Sequence, residues 1–330
     1  MPIDTRLTEL LGIQHPILSA PMAAIAGARL VEAVGRAGGF GILGGGYGDK
    51  AWLEQETAKL EHTTVPFGIG FITWSMAKQL ELLDIALAAK PRAIMLSFGD
   101  PKPFGARIKS AGSLLICQVQ SEDMAQEALE AGADILIAQG TEAGGHGASR
   151  TTLDIVPAIV DVAAGRVPVV AAGGLADGRG LAAMLMLGAS GVLLGTRFYA
   201  SAECEAEEEA KQRICAASGG STARSVVFDL SRNIFWPAPF TLRALVNDHS
   251  RRWIGREVEL IQNMTKVTAN YAAAKQVRNF DIAGVFAGEA AGLIHDIPPA
   301  AEIVGRIATE AEQIMSGKQN SAAMSRTAAR

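Results

Sequence analysis

The amino-acid sequence predicts an α/β protein, a (β/α)8 TIM barrel with a helical cap inserted after its eighth strand. Eight short apolar runs recur about 20 to 30 residues apart, and each is followed by a segment with helical periodicity. Several runs are almost continuously apolar, as strands buried on both faces of a parallel sheet must be. An open doubly wound sheet would show the same alternation, so it is the number of units that favours a closed barrel.

The predicted strands and helices alternate along the first two thirds of the chain. The strands cover residues 16–22, 40–44, 67–72, 93–98, 114–119, 135–139, 167–172 and 191–198. The helices between them cover residues 29–37, 51–60, 74–89, 103–109, 121–131, 153–163 and 178–187. Several helices end in Ala-Gly or Leu-Gly just before the next strand, which is typical of glycine C-caps.

After residue 198 the pattern changes, and no strand periodicity is evident up to about residue 280. This segment holds an acidic helical stretch and a stretch rich in Pro and Trp. We therefore expect a barrel domain made of residues 1–202 and 282–317, and a helical cap that forms the substrate domain, residues 203–281. The last barrel helix is predicted at residues 303–315, and a flexible tail at 318–330.

Composition and charge limit the class of protein. A barrel of this kind needs roughly 250 residues, so 330 residues predict one large domain plus an insertion. The hydrophobic fraction of 49% predicts a large buried core. The net charge of −4 and the lack of a basic block argue against nucleic acid as a partner.

The N-terminus and the cysteines indicate the compartment. The first residues lack the apolar run of a signal peptide, and no stretch approaches the roughly 18 apolar residues of a membrane span. We expect a cytoplasmic protein without membrane association. Cys117, Cys204 and Cys215 are an odd number without metal-like spacing, so we expect packing residues and no bound metal.

The loops after strands one, seven and eight are the first candidate site, because catalytic groups of such barrels follow the strands. Ala20, Pro21 and Met22 form a small-residue turn that would let a flat ring approach the backbone, although an ordinary turn is the alternative. Gly173-Gly174 follow strand seven and Gly195-Thr196 lie within the end of strand eight, the two places where phosphates bind in this fold. They predict a cofactor with a phosphate, and two ordinary strand-to-helix turns are the alternative.

His146 is the candidate catalytic residue. It lies in the segment QGTEAGGHG after strand six, and its glycine neighbours leave it free to face a ligand. An imidazole titrates near neutral pH, so it can take a proton or donate a hydrogen bond. A lone histidine is more often structural. We interpret the others, which have no such context, as surface or packing residues: His15, His62, His249 and His295.

The motifs QGTEAGGHG, VVAAGGLADGRG and LLGTRF, together with SAPM near the start, resemble those of the nitronate monooxygenases, formerly called 2-nitropropane dioxygenases. The resemblance runs over residues 13–198 and resumes at residues 285–294. It implies an FMN-binding barrel that oxidises alkyl nitronates with dioxygen to carbonyl compounds and nitrite. It also implies that His146 takes a proton from neutral nitroalkane substrates or positions the anionic nitronate.

The resemblance further implies which residues contact FMN. Polar flavin contacts are expected from Gln118 and Gln139, and the phosphate contacts from the glycine loops after strands seven and eight. The whole set of expected cofactor contacts is Ala20, Pro21, Met22, Gln118, Gln139, Gly144, Gly145, Ala172, Gly173, Gly174, Gly195 and Thr196.

The chain departs from the family pattern at two positions, and two alternative functions are compatible with its motifs. After strand three the family usually has Asn in a Gly-x-Asn-Phe run, where this chain has Gly70, and Arg150 follows the histidine turn later than the family's usual Arg. An FMN-dependent, NADH-using enoyl-acyl carrier protein reductase would carry the same motifs. A flavin-binding barrel without turnover is the third reading, motivated by Gly70. A homodimer is left open.

Overall fold

The computed structural model describes residues 3–317. Within them, eight parallel strands form one sheet: β1 Ile17–Ser19, β2 Gly41–Gly44, β3 Phe67–Ile72, β4 Ala93–Ser97, β5 Leu114–Val119, β6 Ile135–Gln139, β8 Val169–Ala172 and β9 Gly191–Leu194. The sheet order is β1-β9-β8-β6-β5-β4-β3-β2. A parallel bridge between Leu18 and Phe40 joins the two edge strands. The predicted (β/α)8 barrel is confirmed.

The eight predicted barrel strands differ from the observed ones only at their ends. Strands β3, β5 and β6 have the predicted bounds, and the other strands are shorter by one to four residues. The largest differences, four residues each, are at β1 and at β9, which was predicted to reach Phe198 and ends at Leu194. Residues Thr196–Tyr199 form a short helix instead, so Gly195 and Thr196 lie past the strand rather than within it.

Helices surround the barrel and fill the insertion. Those of the first part are α1 Arg6–Leu11, α2 Ala28–Arg36, α3 Lys50–Lys59, α4 Thr73–Met76, α5 Glu81–Ala88, α6 Lys102–Ser110, α7 Glu122–Glu130, α8 Thr152–Ala163, α9 Gly178–Met186 and α10 Thr196–Tyr199. The later ones are α11 Glu208–Cys215, α12 Val227–Ser231, α13 Asp248–Trp253, α14 Glu257–Gln262, α15 Met264–Gln276, a 3-10 turn Glu289–Leu293 and α16 Ala300–Met315.

The barrel interior is filled by apolar side chains at its amino-terminal end. Leu18, Ile42 and Ile116 belong to one buried cluster inside the strands. Leu7 and Leu11 of α1 belong to the same cluster, so this helix closes that end of the barrel. A second, larger cluster fills the layer between strands and helices. A ligand is therefore expected only at the carboxyl ends of the strands, where such barrels carry their sites.

Buried or half-buried glutamates hold four helix N-termini in place. Each carboxylate comes from elsewhere in the fold and accepts a hydrogen bond of 2.8 or 2.9 Å from a first-turn N–H: Glu56 at Ala28, Glu142 at Thr152, Glu310 at Gly178 and Glu203 at Ala300. A negative charge at this end of a helix stabilises it by about 0.3–1 kcal/mol. Glu142 also ties the loop after β6 to helix α8, which fixes the segment that carries His146.

The insertion contains strands that the sequence analysis missed. Strands β10 Thr222–Ser225 and β11 Thr241–Leu245 pair with β7 Gly145–Gly147 in an antiparallel sheet of order β10-β11-β7. The expectation of no strand between residues 203 and 281 was therefore wrong, although helices α11 to α15 are present. This small sheet joins the insertion to the loop after β6. The domain limits stay a prediction, and the tail at 318–330 lies outside the described residues.

The cysteines act as packing residues. Cys117 and Cys204 are buried, and all three are free. Burial raises the pKa of the Cys117 thiol to about 12 and that of Cys204 to about 11, so neither is a reactive thiolate near neutral pH. Among residues 3–317, no helix is both long and apolar enough to cross a membrane.

Candidate active site

The floor of the site is a ring of small and amide side chains at the carboxyl ends of the barrel strands. Along a strand, alternate residues face the same side, so the positions two residues after the apolar inner layer also face inward. These positions hold Ala20, Gly44, Ser97, Gln118, Gln139 and Gly195, which follow Leu18, Ile42, Met95, Ile116, Ile137 and Leu193. Large apolar residues below and small or polar ones above make a floor suited to a flat, hydrogen-bonding ring.

Glutamines supply the polar part of this floor. Gln139 is buried, its Oε1 accepts a hydrogen bond from Nε2 of Gln120 at 2.8 Å, and its Nε2 donates to the carbonyl of His146 at 3.0 Å. Gln120 is itself 3% exposed, and its Oε1 has no hydrogen-bond partner. A buried amide oxygen without a partner is unfavourable, so a donor from a bound ring would satisfy it. Gln118, near the end of β5, is half-buried. Sequence analysis did not select Gln120.

The loops after β8 and β9 have the geometry of a phosphate cradle. Gly173 and Gly174 have φ values of +112° and +71°, a region that side chains rarely occupy. A Cβ atom on Gly195 would have only the Cβ of Ala20 near it, at 3.7 Å, so the space above this backbone is open. The hydroxyl of Thr196 accepts from the backbone N–H of Gly288 at 2.9 Å and keeps its own proton for donation.

Gly144 and Gly145 have structural roles in the segment after β6. A Cβ on Gly144 would lie 2.5 Å from the backbone nitrogen of Gly288, so glycine is needed here for the close approach of two loops. Gly145 has a φ of +73° and pairs with Arg243 of β11. In this structure these two glycines shape the segment that leads to His146. Their expected contact with the cofactor stays a prediction.

The turn after β1 lies against Gly70. Ala20, Pro21 and Met22 are half-buried at the barrel mouth. A Cβ atom on Gly70 would be 2.5 Å from both Cβ and Cγ of Pro21, closer than packed atoms approach. Glycine at position 70, where the family usually has Asn, therefore lets the Pro21 ring pack against β3.

His146 lies in β7 and is fixed by the insertion. It pairs with Leu242 of β11. Arg224 donates hydrogen bonds to the carbonyls of Gly147 and Thr141, and Arg243 donates to the same Thr141 carbonyl at 2.8 Å. Burial lowers the pKa of Arg224 to about 10. The two arginines hold this loop through its carbonyl oxygens and so fix the segment that carries the imidazole.

The imidazole of His146 contacts one carboxylate. Its Nε2 lies 3.0 Å from both carboxylate oxygens of Asp229, on helix α12. Arg232 donates to Oδ1 of Asp229 at 2.6 Å. Burial lowers the pKa of His146 below its ordinary value, Asp229 opposes this effect, and Arg232 and Arg224 add to it. The lowered pKa favours the neutral imidazole, which is the form that accepts a proton.

Aromatic side chains surround His146. The ring of Trp236 stacks on the imidazole with centroids 3.4 Å apart and planes 10° from parallel. Phe98 meets Trp236 and Phe240 edge to face at 5.1 Å. Nε1 of Trp236 donates to the hydroxyl of Tyr47 at 2.9 Å. These rings shield the imidazole from water and supply an apolar wall for a substrate.

Besides Gln120, the residues around the imidazole that sequence analysis did not select include Tyr47, Asp229, Arg232 and Trp236. Asp229 had one usable signal, since a single carboxylate in the apolar run 226–230 needs a buried partner. The other histidines agree with the sequence interpretation. His62 and His295 are exposed, His15 is half-buried, and His249 is buried in the insertion against Ser231. Arg150 pairs with Glu122 and Asp154 at the surface.

A family model described as nitronate monooxygenase matches residues 4–82 and 72–310. This chain belongs to the nitronate monooxygenase family. The family is one of oxidoreductases, so the protein is an enzyme. The match spans both the barrel and the insertion, which includes Asp229 and Trp236 as well as the glycine loops.

Curated relatives of the family carry two kinds of name. The chain is 32% identical to nitronate monooxygenase npaC of Metarhizium robertsii, with 91% of each chain covered. It is 31% identical to (3aS,4S,5R,7aS)-5-hydroxy-7a-methyl-1-oxo-octahydro-1H-indene-4-carboxyl-CoA dehydrogenase of Mycobacterium tuberculosis, with 94% of this chain and 97% of that protein covered.

Similar solved structures likewise carry two kinds of name. FabK from Thermotoga maritima superposes with a TM-score of 0.84 at 30% identity, covering 96% of this chain and 98% of its own. Nitroalkane oxidase from Streptomyces ansochromogenes superposes with a TM-score of 0.77 at 25% identity, covering 95% and 99%. The family fold is thus shared along almost the whole chain.

Proposed function

We propose that this nitronate monooxygenase family member is an FMN-dependent oxidoreductase that oxidises alkyl nitronates and nitroalkanes with dioxygen to carbonyl compounds and nitrite. The observation that carries the proposal is the buried His146, which lies just after the carboxyl end of β6 and whose pKa is lowered by burial. A neutral imidazole in an apolar setting is suited to removing a proton from carbon.

The residues present fit FMN. The open space above Gly195, the left-handed backbone of Gly173 and Gly174, and the hydroxyl of Thr196 suit one phosphate. The partnerless oxygen of Gln120 belongs to the floor where the flavin ring would bind. The turn of Ala20, Pro21 and Met22 lies at the edge of this floor. Bound FMN would supply the two-electron acceptor and the reaction with dioxygen.

The step that the protein itself performs is the proton transfer. In a nitroalkane the carbon next to the nitro group carries an acidic hydrogen. His146 takes this proton, and the electron pair of the broken C–H bond moves into the nitro group to give the nitronate. A nitronate supplied as substrate has already lost the proton and needs no base. The rings of Phe98 and Trp236 exclude water, which strengthens the attraction between the imidazolium and the nitronate.

A second candidate is supported by the comparisons. The similarity to FabK and to the indene-4-carboxyl-CoA dehydrogenase extends over more than 90% of the chain. The alternative is an FMN enzyme that exchanges hydride with a nicotinamide cofactor and acts on an acyl thioester. Anaerobic mixing with NADH separates the two. Rapid bleaching of the flavin would favour the thioester enzyme, and bleaching by a nitronate alone would favour nitronate oxidation.

The direct test uses purified enzyme whose released cofactor is identified by mass. Wild type should carry FMN and oxidise both nitroethane and its nitronate. His146→Ala should lose nitroethane turnover by about 100-fold or more, as removal of a general base typically does, and should lose less of the nitronate turnover. The exposed His62→Ala is the matched control. Full nitroethane activity in His146→Ala would overturn the role of His146.

A further inference from the structure

The contact between His146 and Asp229 is unusual in its symmetry and burial. Both carboxylate oxygens of Asp229 lie 3.0 Å from the same atom, Nε2 of His146. Asp229 is 3% exposed and His146 is 8% exposed. A carboxylate only accepts hydrogen bonds, so Nε2 must carry a proton in this arrangement.

Because Nε2 carries the proton, the other ring nitrogen of His146, Nδ1, is the one that can accept a proton. Among residues 3–317, no side chain or backbone group forms a hydrogen bond with Nδ1. A neutral imidazole has one protonated nitrogen, and if that is Nε2 the lone pair is on Nδ1. Without a partner at Nε2, both tautomers would be populated.

A cation balances the charge of Asp229. Arg232 donates to Oδ1 at 2.6 Å and lies 3.4 Å from the hydroxyl of Tyr47. The ionisable groups that act on His146 come from the insertion: Asp229 and Arg232 at helix α12, and Arg224 on β10. The carboxylate thus orients the imidazole without making the site strongly negative, which would repel an anionic nitronate.

We propose that Asp229 is a positioning residue that fixes His146 in the tautomer with the proton on Nε2, so that Nδ1 is the base. This inference deepens the proposed function and rests on it for the identity of the substrate. Nδ1 takes the proton from the substrate carbon, the electron pair stays on the substrate, and the imidazolium keeps its Nε2 proton hydrogen-bonded to Asp229. The proton does not pass to the carboxylate.

The tautomer can be measured without turnover. In holoenzyme labelled with 15N-histidine, protonated and bare ring nitrogens have well-separated NMR shifts, and the signals of His146 are assigned by their loss in His146→Gln. We expect a proton on Nε2 above the pKa of His146. A proton on Nδ1, or an average of the two tautomers, would overturn the proposal even if no nitroalkane is ever turned over.

The kinetic test compares Asp229→Asn with Ser231→Ala, a buried change on the same helix that does not touch His146. In Asp229→Asn, kcat/KM for nitroethane should fall by about 100-fold or more, the scale of losing a correctly placed base. In the pH profile of kcat/KM, the fall on the acid side should move to lower pH in Asp229→Asn. The reason is that the carboxylate that favours the imidazolium is gone, so the pKa of His146 falls. We call this side of the profile the acid limb. Nitronate turnover should fall less, and Asp229→Glu should recover part of the loss.

A purely structural role gives different results. It predicts equal losses on nitroethane and nitronate, an unmoved acid limb, and a similar loss in Ser231→Ala, and this pattern would overturn the proposal. Should Asp229→Asn fail to retain FMN, the NMR measurement on wild type still decides. If wild type turned over no nitroalkane, only the proposed function would be contradicted. The tautomer proposal would stand, because NMR measures the tautomer without turnover.

Discussion

Trp236 lies flat on His146, with ring centroids 3.4 Å apart and planes within 10° of parallel. The indole therefore covers one face of the proposed base. Its own Nε1 is held by the hydroxyl of Tyr47 at 2.9 Å, so the stack is fixed from the β2 side of the barrel as well as from the insertion. The environment of the imidazole is set by a segment far from it in sequence.

Trp236→Ala should raise the pKa of His146, because burial is the largest cause of its lowered value and the indole is part of that burial. The neutral, active form is lost as pH falls through this pKa. The acid limb of kcat/KM for nitroethane should therefore move to higher pH, opposite to the shift expected for Asp229→Asn. Measuring both pH profiles on the same substrate tests the two causes separately.

Phe235→Ala is the matched control for this change. Phe235 is the preceding residue on the same loop and is 66% exposed. It should leave the acid limb where it is in wild type. An equal shift in both variants would mean that loop flexibility, rather than cover of the imidazole, controls the titration.

Gly174→Leu should prevent FMN retention while leaving a folded barrel. A side chain at this φ of +71° is strained by about 1–2 kcal/mol, and its Cβ would meet that of Glu142 at 3.0 Å. Gly165→Leu is the control, because Gly165 has the same φ of +71° with nothing within 4 Å of its Cβ position. Flavin absorbance per mole of protein and thermal unfolding are the measurements. Full occupancy in Gly174→Leu would place the phosphate elsewhere.

The sequence predicted the barrel well because parallel strands buried on both faces leave a strong local signal. It predicted less of the insertion. Strand β10 is half-buried throughout, and β11 carries a buried Arg243 that pairs with Glu289 and donates to the carbonyl of Thr141. Neither has the apolar pattern of a barrel strand.

The same contrast holds for the candidate site. His146 and the glycine loops are marked by their local sequence. Asp229 acquires its role only through contact with a residue 83 positions away. Long-range pairing of this kind has no local pattern, so the partner of His146 could not be identified from one sequence.

Gly70 and Pro21 should behave as a coupled pair. Gly70→Ala places a Cβ 2.5 Å from two atoms of the Pro21 ring, so the turn after β1 must move. We expect loss of stability of about 1–3 kcal/mol, as for other overpacked sites, together with lower FMN content. Pro21→Gly removes the ring, so Gly70→Ala should cost clearly less in that background. Urea unfolding of all four proteins gives the coupling energy, and additive effects would show that the two positions do not meet.

His249 should make the fold less stable in acid. It is 7% exposed, its Nε2 lies 2.8 Å from the hydroxyl of Ser231, and burial lowers its pKa from 6.5 to about 4. Below pH 6.5 the unfolded chain takes up a proton that the folded protein does not. Stability is therefore complete above pH 6.5 and falls as pH drops towards 4, by roughly 3 kcal/mol from this residue. The lowered pKa of His146 acts in the same direction.

His249→Phe should reduce this pH dependence. Phenylalanine keeps the packing against Phe228 and Tyr271 and removes the titrating group. The Ser231 hydroxyl retains its hydrogen bond to the carbonyl of Val227 at 2.8 Å. Urea unfolding between pH 7 and pH 4 should show a slope lower by up to about 1.4 kcal/mol per pH unit, the value for one proton. His62→Gln at the surface should keep the wild-type slope. If His249→Phe also has the wild-type slope of unfolding free energy against pH, the acid sensitivity arises elsewhere in the fold.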